Sequence, residues 1–325
     1  MNLSLLSPPA GSAVMLHDTD VQGLLTTANA VVALDAAFAD LAIGQAEVLA
    51  RQRIDCGSVK LSTMGAVWPQ ARFAAIKSYL TVNGQFSFST TAWDTATNQV
   101  LFTLNGDELT RLRTPALACL VAARTVAPGG VLALFGAGQQ GRAHAEALQS
   151  HIGFREIRVV DTADVSAWCT QATAAWQCPV RQTHAKEAVD GADLVVTTTR
   201  SKTPVFDGAD LAGSATVIAM GTSLPTGREL DDATLQRADR VLVEWLPQSL
   251  LEAGEVVLGM ASGALQAERI TDLPALYRAG TPWRQRGDGI LVFKSVGIGL
   301  SDAAVARALW HRCAPARAAR ALASA

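Results

Sequence analysis

The stretch Val131-Leu132-Ala133-Leu134-Phe135-Gly136-Ala137-Gly138-Gln139-Gln140-Gly141 decides the fold of this chain of 325 residues. Five apolar residues come first, as in a parallel strand that is buried on both faces. A G-x-G-x-x-G motif follows, in which the first glycine permits a tight turn, the second lets a pyrophosphate approach the backbone, and the third allows close helix packing. A helix is expected from about Gln139 to Ser150, and its N-terminus favours a phosphate. The stretch therefore predicts a dinucleotide-binding strand, turn and helix.

Asp161 ends the next predicted strand, 25 residues after Gly136. A carboxylate at this point accepts hydrogen bonds from both hydroxyls of an adenosine ribose. It also repels the extra phosphate of NADP, and Thr162-Ala163 supply no cation to attract that phosphate. The sequence therefore favours NAD(H), with NADP(H) possible if Arg158 or Arg181 folds over the site. The alternative, a glycine turn in an α/β protein that binds nothing, stays open at this point.

Short apolar runs alternate with helical stretches after the glycine motif. The runs are Ile157–Val160, Leu194–Val196, Thr216–Ala219, Val241–Val243 and Ile290–Phe293. Such alternation is typical of a parallel sheet with helices on both faces. The predicted fold class is therefore α/β, with a Rossmann-type doubly wound parallel sheet.

The residues before the motif follow a different pattern. Apolar residues at helical spacing predict a helix from Asp20 to about Ile43. Segments that mix aromatic and β-branched residues with Asn-Gly turns predict antiparallel or mixed strands. These segments are Phe73–Val82, Gln85–Thr90 and Val100–Leu104. A helix is expected over Leu109–Val126, with Thr114 as N-cap and Pro115 in its first turn.

A last predicted helix, Ser301–His311, is expected to return to the N-terminal part of the chain. This expectation divides the chain into a discontinuous α+β domain, residues 1–125 with 300–325, and a dinucleotide-binding Rossmann domain, residues 126–299. Apolar residues make up 49% of the sequence, which excludes an intrinsically disordered chain.

Charge and cysteine content exclude several classes of protein. The 27 Lys and Arg residues against 29 Asp and Glu residues give a net charge of −2, which argues against nucleic-acid or anionic-membrane partners. The five cysteines form no C-x-x-C pair, so the usual zinc signatures are missing and no metal site is expected. No unbroken apolar run reaches the roughly 18 residues of a membrane span. The N-terminal segment is unlike a signal peptide, and we expect a cytoplasmic protein.

Cations are candidates for binding a carboxylate. Lys77 lies inside the apolar segment Phe73–Leu80, where a lone cation either extends to solvent at an edge or points into a site. In a site it would bind a substrate carboxylate or donate a proton, because burial readily lowers the pKa of lysine. Arg113 lies at a predicted helix start, from which its guanidinium can hold a pyrophosphate or a carboxylate. Arg113 is equally compatible with a solvated position beside Arg111. Arg53, with Arg51 close by, is a second cation that can meet the same carboxylate.

Four stretches together resemble the ornithine cyclodeaminase/mu-crystallin family. They are Arg113-Thr114-Pro115-Ala116, Phe135-Gly136-Ala137-Gly138-Gln139-Gln140, Gly221-Thr222-Ser223-Leu224-Pro225-Thr226-Gly227-Arg228-Glu229-Leu230-Asp231 and Phe293-Lys294-Ser295-Val296-Gly297. Their order and spacing extend over nearly the whole chain. The resemblance implies that the discontinuous domain binds substrate and dimerises through its sheet. A homodimer that acts on a small imine or amino acid is therefore expected.

The resemblance also implies roles for individual residues. By position, Arg53, Lys77 and Arg113 look like the clamp for the substrate carboxylate, with Arg51 as the alternative to Arg53. The residues that would contact the dinucleotide are Arg113, Thr114, Gly136, Ala137, Gly138, Gln139, Gln140, Asp161 and Thr199. Ser223 and Ser295 would lie near the nicotinamide.

One departure from the family pattern bears on the reaction. The cyclodeaminases have an aspartate that handles protons where this chain has Ser223, and a hydroxyl without a partner is no general base near neutral pH. The resemblance therefore implies an NAD(P)H-dependent ketimine reductase that converts Δ1-pyrroline-2-carboxylate or Δ1-piperideine-2-carboxylate to L-proline or L-pipecolate. The alternatives are an amino-acid dehydrogenase such as alanine dehydrogenase, an ornithine cyclodeaminase, and a non-catalytic crystallin-like binding protein.

Overall fold

The computed structural model describes residues 13–285 and 287–323, with side chains as far as residue 313. The chain forms two compact units, Met1–Arg113 with Ile298–Ala325, and Thr114–Gly297. The sequence-based boundaries after residues 125 and 299 differ from these. The first structural boundary, between Arg113 and Thr114, falls inside one continuous helix, whereas the sequence-based boundary was placed at the end of that helix.

The first unit contains a six-stranded sheet with the strand order β1-β6-β5-β4-β3-β2. Its strands are β1 (Val14–His17), β2 (Glu47–Cys56), β3 (Val59–Trp68), β4 (Phe73–Val82), β5 (Gln85–Asp94) and β6 (Gln99–Asn105). All pairs are antiparallel except β1 with β6. The first three helices of the chain are α1 (Asp18–Leu24), α2 (Thr27–Ala42) and α3 (Glu108–Thr125), of which α3 begins in the first unit and ends in the second.

The second unit contains an eight-stranded, wholly parallel sheet in the order β13-β12-β14-β11-β10-β7-β8-β9. Its strands are β7 (Val131–Phe135), β8 (Glu156–Val160), β9 (Val180–Gln182), β10 (Leu194–Thr197), β11 (Thr216–Ala219), β12 (Ala238–Val243), β13 (Ile270–Asp272) and β14 (Ile290–Lys294). Its helices are α4 (Gln139–His151), α5 (Ser166–Trp176), α6 (Ala185–Val189), α7 (Asp232–Arg237), α8 (Leu246–Glu252), α9 (Gly254–Ala261) and α10 (Leu273–Ala279). The strand order reverses direction beside β7, which is the usual dinucleotide site of such sheets. The predicted fold class is confirmed.

The last helix, α11 (Gly299–Ala323), belongs to the first unit and packs on α2, β3 and β4. The sheet face beneath it is buried and includes Met64, Phe73 and Phe102. Phe102 stacks on Trp310 of α11, with ring centroids 5.6 Å apart. One face of the six-stranded sheet thus forms the core of this unit.

The predicted helix over Asp20–Ile43 is two helices, because Thr26 caps α2. Its hydroxyl accepts a hydrogen bond from the backbone N–H of Asn29, and the Asn29 side chain accepts one from the backbone N–H of Thr26. This reciprocal pair favours a new helix start. Among the described residues, no single helix is long and apolar enough to cross a membrane, and α1 and α2 reach that length only as a pair bent by 93°.

The predicted helix Leu109–Val126 agrees closely with α3 (Glu108–Thr125), but the predictions that Thr114 is its N-cap and that Arg113 lies at a helix start are wrong. α3 begins at Glu108 and contains both residues in its interior. The Asp18 carboxylate accepts hydrogen bonds from the backbone N–H groups of Asp107 and Glu108, at 3.3 and 2.9 Å. A carboxylate some 90 residues away in the sequence thus satisfies N-terminal donors of α3. The residues around Glu108 do not reveal this distant cap.

Candidate functional site

The glycine turn between β7 and α4 has the geometry of a dinucleotide cradle. Gly136 has a φ of +88°, which a side chain rarely adopts. A Cβ on Gly141 would lie 1.8 Å from the carbonyl oxygen of Gly136, so the close approach of α4 requires glycine. By contrast, no heavy atom lies within 4 Å of the position of a Cβ on Gly138. Open space therefore adjoins the N-terminus of α4, where a pyrophosphate fits.

Asp161 follows β8 and supports this turn directly. Its Oδ2 accepts a hydrogen bond from the backbone N–H of Ala137 at 2.6 Å, and its Oδ1 accepts one from that of Ala163 at 2.8 Å. A carboxylate has about four acceptor positions, so capacity remains for ribose hydroxyls. The residues at this end of the unit therefore fit a nicotinamide dinucleotide.

The two arginines that the sequence offered for an NADP phosphate, Arg158 and Arg181, form ion pairs with other residues. Arg158 pairs with Glu156 at 3.1 Å, and Arg181 pairs with Glu156 at 2.9 Å and with Glu187 at 2.6 Å. A different cation adjoins the turn, because Arg142 donates a hydrogen bond to the carbonyl of Ala137 at 2.8 Å. Arg142 directly follows the glycine motif in the sequence, but the sequence analysis did not predict this contact.

The other predicted contacts of the dinucleotide lie on two helices. Gln139 and Gln140 form the start of α4, and the carbonyl oxygen of Gln140 lies 2.7 Å from Nδ1 of His144. Thr114 lies in α3, directly after Arg113. These placements leave the predicted roles of Thr114, Gln139 and Gln140 as predictions.

A buried carboxylate, Glu229, joins the segments that follow β10 and β11. It accepts hydrogen bonds from the backbone N–H and the hydroxyl of Thr199, at 2.7 and 2.8 Å. It also accepts bonds from the hydroxyl of Thr197 and the backbone N–H of Gly221, both at 2.8 Å. Glu229 is fully buried, and its four bonds satisfy its charge. Thr199, a predicted dinucleotide contact, is thereby fixed in place.

A buried ion pair between Lys294 and Glu255 contacts the segment after β11 that Glu229 also holds. Nζ of Lys294 lies 2.9 Å from Oε2 of Glu255, and both side chains are fully buried. Lys294 also donates to the carbonyl of Thr222 at 2.7 Å, and Glu255 accepts a bond from the backbone N–H of Glu229 at 2.9 Å. The pair therefore holds the loop that carries Ser223. The sequence analysis placed Lys294 directly after the predicted strand Ile290–Phe293, in a stretch that resembles the family, and gave no sign of its partner Glu255.

Ser295 is buried at the end of β14 and its hydroxyl donates to Oε2 of Glu244 at 2.6 Å. The same oxygen accepts bonds from the backbone N–H groups of Val296 and Gly297, at 3.1 and 2.6 Å. Glu244, which the sequence did not single out, therefore shapes the turn after β14. The predicted position of Ser295 near the nicotinamide stays a prediction.

The first unit contains a separate cluster around Lys77, which points from β4 into the buried face. Nζ of Lys77 lies 3.0 Å from Oδ1 of Asp302, and Nε of Arg113 lies 3.3 Å from the same oxygen. Lys77 also donates a hydrogen bond to the hydroxyl of Thr110, and its Nζ lies 4.3 Å from the ring centroid of Phe88. Two predicted cations are thus brought together, with a carboxylate that the sequence did not reveal.

Burial and charge set the protonation of this cluster. Burial lowers the pKa of Lys77 to about 8, an effect that Asp302 opposes and Arg113 reinforces. Burial alone raises the pKa of Asp302, but the adjacent Lys77 and Arg113 charges outweigh it and hold that pKa below its usual value. The cluster therefore contains a carboxylate and more than one cation at neutral pH, so it attracts a further anion.

Arg51 joins this cluster through an irregularity in β2. The pairing of β2 with β3 shifts register between Leu49 and Gln52, as at a β-bulge. Nε of Arg51 donates to the sulfur of Met64 at 3.3 Å, and Met64 lies opposite Lys77 in β4. The positive charge of Arg51 is one cause of the lowered pKa of Lys77.

Arg53 lies further along the same strand. It is opposite Ser62 in β3, which in turn is opposite Tyr79 in β4. Its cross-strand neighbours are therefore displaced by two residues from Lys77. Of the two arginines left open by the sequence, Arg51 contacts Met64 beside Lys77, and the predicted carboxylate role of either arginine stays a prediction.

An open cavity adjoins the cluster. Its volume is about 460 Å³, and Phe88 lines it together with Asn105 and Asp107. The ring of Phe88 also lies 4.3 Å from Nζ of Lys77, so this one residue links the cavity to the cluster, whereas Lys77, Arg113 and Asp302 do not line it and Asp18 does. This volume is ample for an amino acid or a small cyclic imine.

Comparison with known proteins identifies a family and several similar enzymes. The model of the ornithine cyclodeaminase/mu-crystallin family matches residues 12–316. Among solved structures, that of the probable ornithine cyclodeaminase of Bordetella pertussis Tohama I is 38% identical with a TM-score of 0.90, covering 94% of this chain and 99% of the other.

Two relatives are imine reductases. The Δ1-pyrroline-2-carboxylate reductase of Bacillus thuringiensis subsp. konkukian is 30% identical over 239 residues, 71% of each chain. The iminosuccinate reductase of Paracoccus denitrificans is 27% identical over 326 residues, covering 91% of this chain and 95% of the other. The crystal structure of the latter enzyme with NAD+ has a TM-score of 0.84, at 25% identity and with coverage of 92% and 95%.

Proposed function

This chain belongs to the ornithine cyclodeaminase/mu-crystallin family, and from that premise we propose that it is an oxidoreductase that reduces a cyclic imine carboxylate with a nicotinamide dinucleotide. Imine reduction is the activity named for its curated relatives. The proposed substrates are Δ1-pyrroline-2-carboxylate and Δ1-piperideine-2-carboxylate. The proposed products are L-proline and L-pipecolate.

The buried cationic cluster of the first unit carries this proposal. Lys77 and Arg113 are 3% and 7% exposed and share a single carboxylate, Asp302. A substrate carboxylate would satisfy the excess of positive charge, and buried charge-assisted hydrogen bonds are the strong ones. Arg51 or Arg53 would complete the clamp. By fixing the carboxylate, these residues orient the adjacent C2 atom, which is the orientation component of catalysis.

The second unit supplies the features that fit the dinucleotide. Gly136, Ala137 and Gly138 would meet the pyrophosphate, and Asp161 would accept hydrogen bonds from the ribose. When bound, the dinucleotide supplies the hydride. Thr199 and the loop of Ser223, both held by Glu229, would lie at the nicotinamide end. A proton must also reach the imine nitrogen, and this chain offers either water or Lys77.

The position of Ser223 weighs against ornithine cyclodeamination, the activity named for the Bordetella protein. That reaction requires a base for the substrate amine, and Ser223 presents a hydroxyl there. An amino-acid dehydrogenase would need the same carboxylate clamp and would in addition accept free ammonia. A binding protein would need the clamp and the cradle but no turnover.

One assay separates these functions. Oxidation of NADH and of NADPH should be followed with Δ1-pyrroline-2-carboxylate and, in parallel, with pyruvate plus ammonia. We expect rapid oxidation with the cyclic imine. Turnover only with pyruvate and ammonia would identify a dehydrogenase, and ammonia release from ornithine without added reductant would identify a cyclodeaminase. Dinucleotide binding without turnover of any of these substrates would identify a binding protein.

Replacing Asp161 by alanine should relax the preference for NADH. We expect the ratio of kcat/KM for NADH to that for NADPH to fall about tenfold or more, because the change removes a carboxylate that repels the 2′-phosphate and leaves Arg142 beside the turn. Parallel kinetics with both cofactors measure this ratio. Asp164→Ala, an exposed position in the same loop, is the matched control. An unchanged ratio in Asp161→Ala would assign cofactor choice to another residue.

We further propose a homodimer formed through the six-stranded sheet. Ile54, Leu61 and Leu80 are cross-strand neighbours on the face away from α11, with exposed fractions of 70%, 44% and 40%. An apolar row of this kind is typical of a protein interface. The location in the cytoplasm stays a prediction.

The dimer is tested by light scattering coupled to gel filtration. We expect the wild type to have twice the monomer mass and Leu61→Lys to shift toward the monomer, because the new charge would be buried in the interface. Gln171→Lys adds a positive charge at an exposed position of α5, outside this sheet, and serves as control. A wild type that is monomeric at micromolar concentration would contradict the proposal.

A further inference from the structure

Asp302 is buried beside the proposed carboxylate clamp, although the sequence separates it from Lys77 by 225 positions. It lies in the first turn of α11, which begins at Gly299. A Cβ on Gly299 would lie 2.2 Å from the carbonyl oxygen of Gly65 in β3, so only glycine lets the helix start this close to the sheet. This close approach brings the Asp302 carboxylate to Lys77.

The two carboxylate oxygens of Asp302 have different surroundings. Oδ1 contacts Lys77 and Arg113 at 3.0 and 3.3 Å. Oδ2 is buried and has no hydrogen-bond partner among the described residues. The helix N-terminus adds a favourable field for this charge. Asp302 is therefore held as a carboxylate by neighbours, not by solvent.

Thr110 accepts a hydrogen bond from Lys77 and the ring of Phe88 faces its Nζ, but neither group carries a negative charge. Arg51 on β2 and Arg113 on α3 are cations, whose charges favour the neutral amine. Met64 on β3 and Phe88 on β5 are uncharged, as is Thr110 on α3. Asp302 on α11 is the one anion that contacts Lys77 among the described residues.

We propose that Asp302 is a positioning residue that keeps Lys77 protonated and aimed at the substrate, so that Lys77 delivers the proton to the imine nitrogen. This inference rests on the proposed function. Hydride from the reduced nicotinamide dinucleotide forms the new C2–H bond, and the π electrons of C=N move to nitrogen. That nitrogen takes a proton from Nζ, and the neutral Lys77 amine regains one from water.

The chemistry of the proposed substrate suits this arrangement. In a cyclic 2-carboxylate imine, only C2 separates the ring nitrogen from the carboxylate carbon. One ammonium can therefore contact the carboxylate and still reach the nitrogen, as a proton donor must. With its pKa lowered to about 8, Lys77 is protonated at neutral pH and is a much stronger acid than an ordinary lysine.

The test is the pH dependence of kcat and kcat/KM in the wild type and in Asp302→Asn. We expect the wild-type activity to fall above about pH 8, where Lys77 loses its proton. In Asp302→Asn this limb should move down by about one pH unit or more, because burial and two arginines act unopposed. The loss in kcat/KM should then be about tenfold or more at pH 8.5 and much smaller at pH 6.

Further variants separate this effect from general damage. Asp94→Asn removes a carboxylate that pairs with Arg72 on the surface of the same unit, and its pH profile should match that of the wild type. Asp302→Glu restores the carboxylate and should restore the basic limb. In Lys77→Arg any residual activity should lack that limb, since guanidinium does not titrate in this range. Comparing variants on one substrate cancels titration of the imine itself.

Several results would overturn the proposal. A wild type with no basic limb below pH 9.5 would exclude Lys77 as the donor, even if Asp302→Asn fails to fold. An equal loss at every pH in a folded Asp302→Asn would assign it a structural role only. If the wild type does not reduce cyclic imines at all, the proposed function fails first, and the two failures remain distinct.

Discussion

Replacing Lys77 by alanine is expected to lower kcat/KM for the cyclic imine about a hundredfold, with a raised KM. The substitution removes one ligand of the substrate carboxylate. It also leaves Oδ1 of Asp302 with Arg113 as its remaining cationic partner. Truncating one partner of a buried ion pair costs several kcal/mol, about 3–5 where the pair is fully buried. An effect of 100-fold corresponds to roughly 2.7 kcal/mol of transition-state binding.

Steady-state kinetics at saturating NADH measure this loss. Lys60→Ala is the matched control, because Lys60 lies on the neighbouring strand β3 and forms an ion pair with Asp55 at the surface, at 3.5 Å. The affinity for NADH, followed by fluorescence titration, should stay the same in both variants, because Lys77 lies outside the unit that carries the glycine motif. Kinetics close to wild type in Lys77→Ala would remove this residue from the site.

The parallel sheet could be predicted because its signals are local. Val131–Phe135 is apolar throughout and Gly136 follows at once, so strand, turn and helix are all encoded within one short segment. The strand β4 has the same bounds, Phe73–Val82, in the sequence-based prediction and in the structure. Where neighbouring residues decide conformation, pattern and propensity suffice.

The cluster around Lys77 could be predicted only in part, because its members are distant in sequence. Asp302 carries no local signal, since an acidic residue in the first turn of a helix is common for reasons of the helix dipole alone. Glu229 also carries no local signal, because the donors of its four hydrogen bonds lie at the carboxyl ends of two strands, β10 and β11. Only the tertiary structure shows that these carboxylates are buried and partnered.

The uncertainty between Arg51 and Arg53 has a specific physical origin. In a regular strand both side chains would point to the same face, because residues two apart share a face. The register shift between Leu49 and Gln52 sets which of them lies opposite Met64. A bulge is a property of the strand pair, so neither arginine's own sequence context reveals it.

Replacing Lys294 by alanine is expected to destabilise the second unit by about 3–5 kcal/mol, because Glu255 would keep a buried charge without its cation. Both side chains are 0% exposed and 2.9 Å apart. Urea unfolding curves measure the change. Lys186→Ala is the matched control, since Lys186 is 82% exposed and lies 3.6 Å from Asp210, and its unfolding midpoint should stay that of the wild type.

The double variant Lys294→Met with Glu255→Leu separates stability from function in the same region. Replacing both buried charges by apolar groups of similar volume is often neutral or stabilising, so much of the lost stability should return. The contact of Lys294 with the carbonyl of Thr222 is still absent, and so is the bond from the backbone N–H of Glu229 to Glu255. We therefore expect a folded protein with reduced kcat, because the loop that carries Ser223 has lost its support. A double variant with wild-type kcat would show that this loop needs no such anchor.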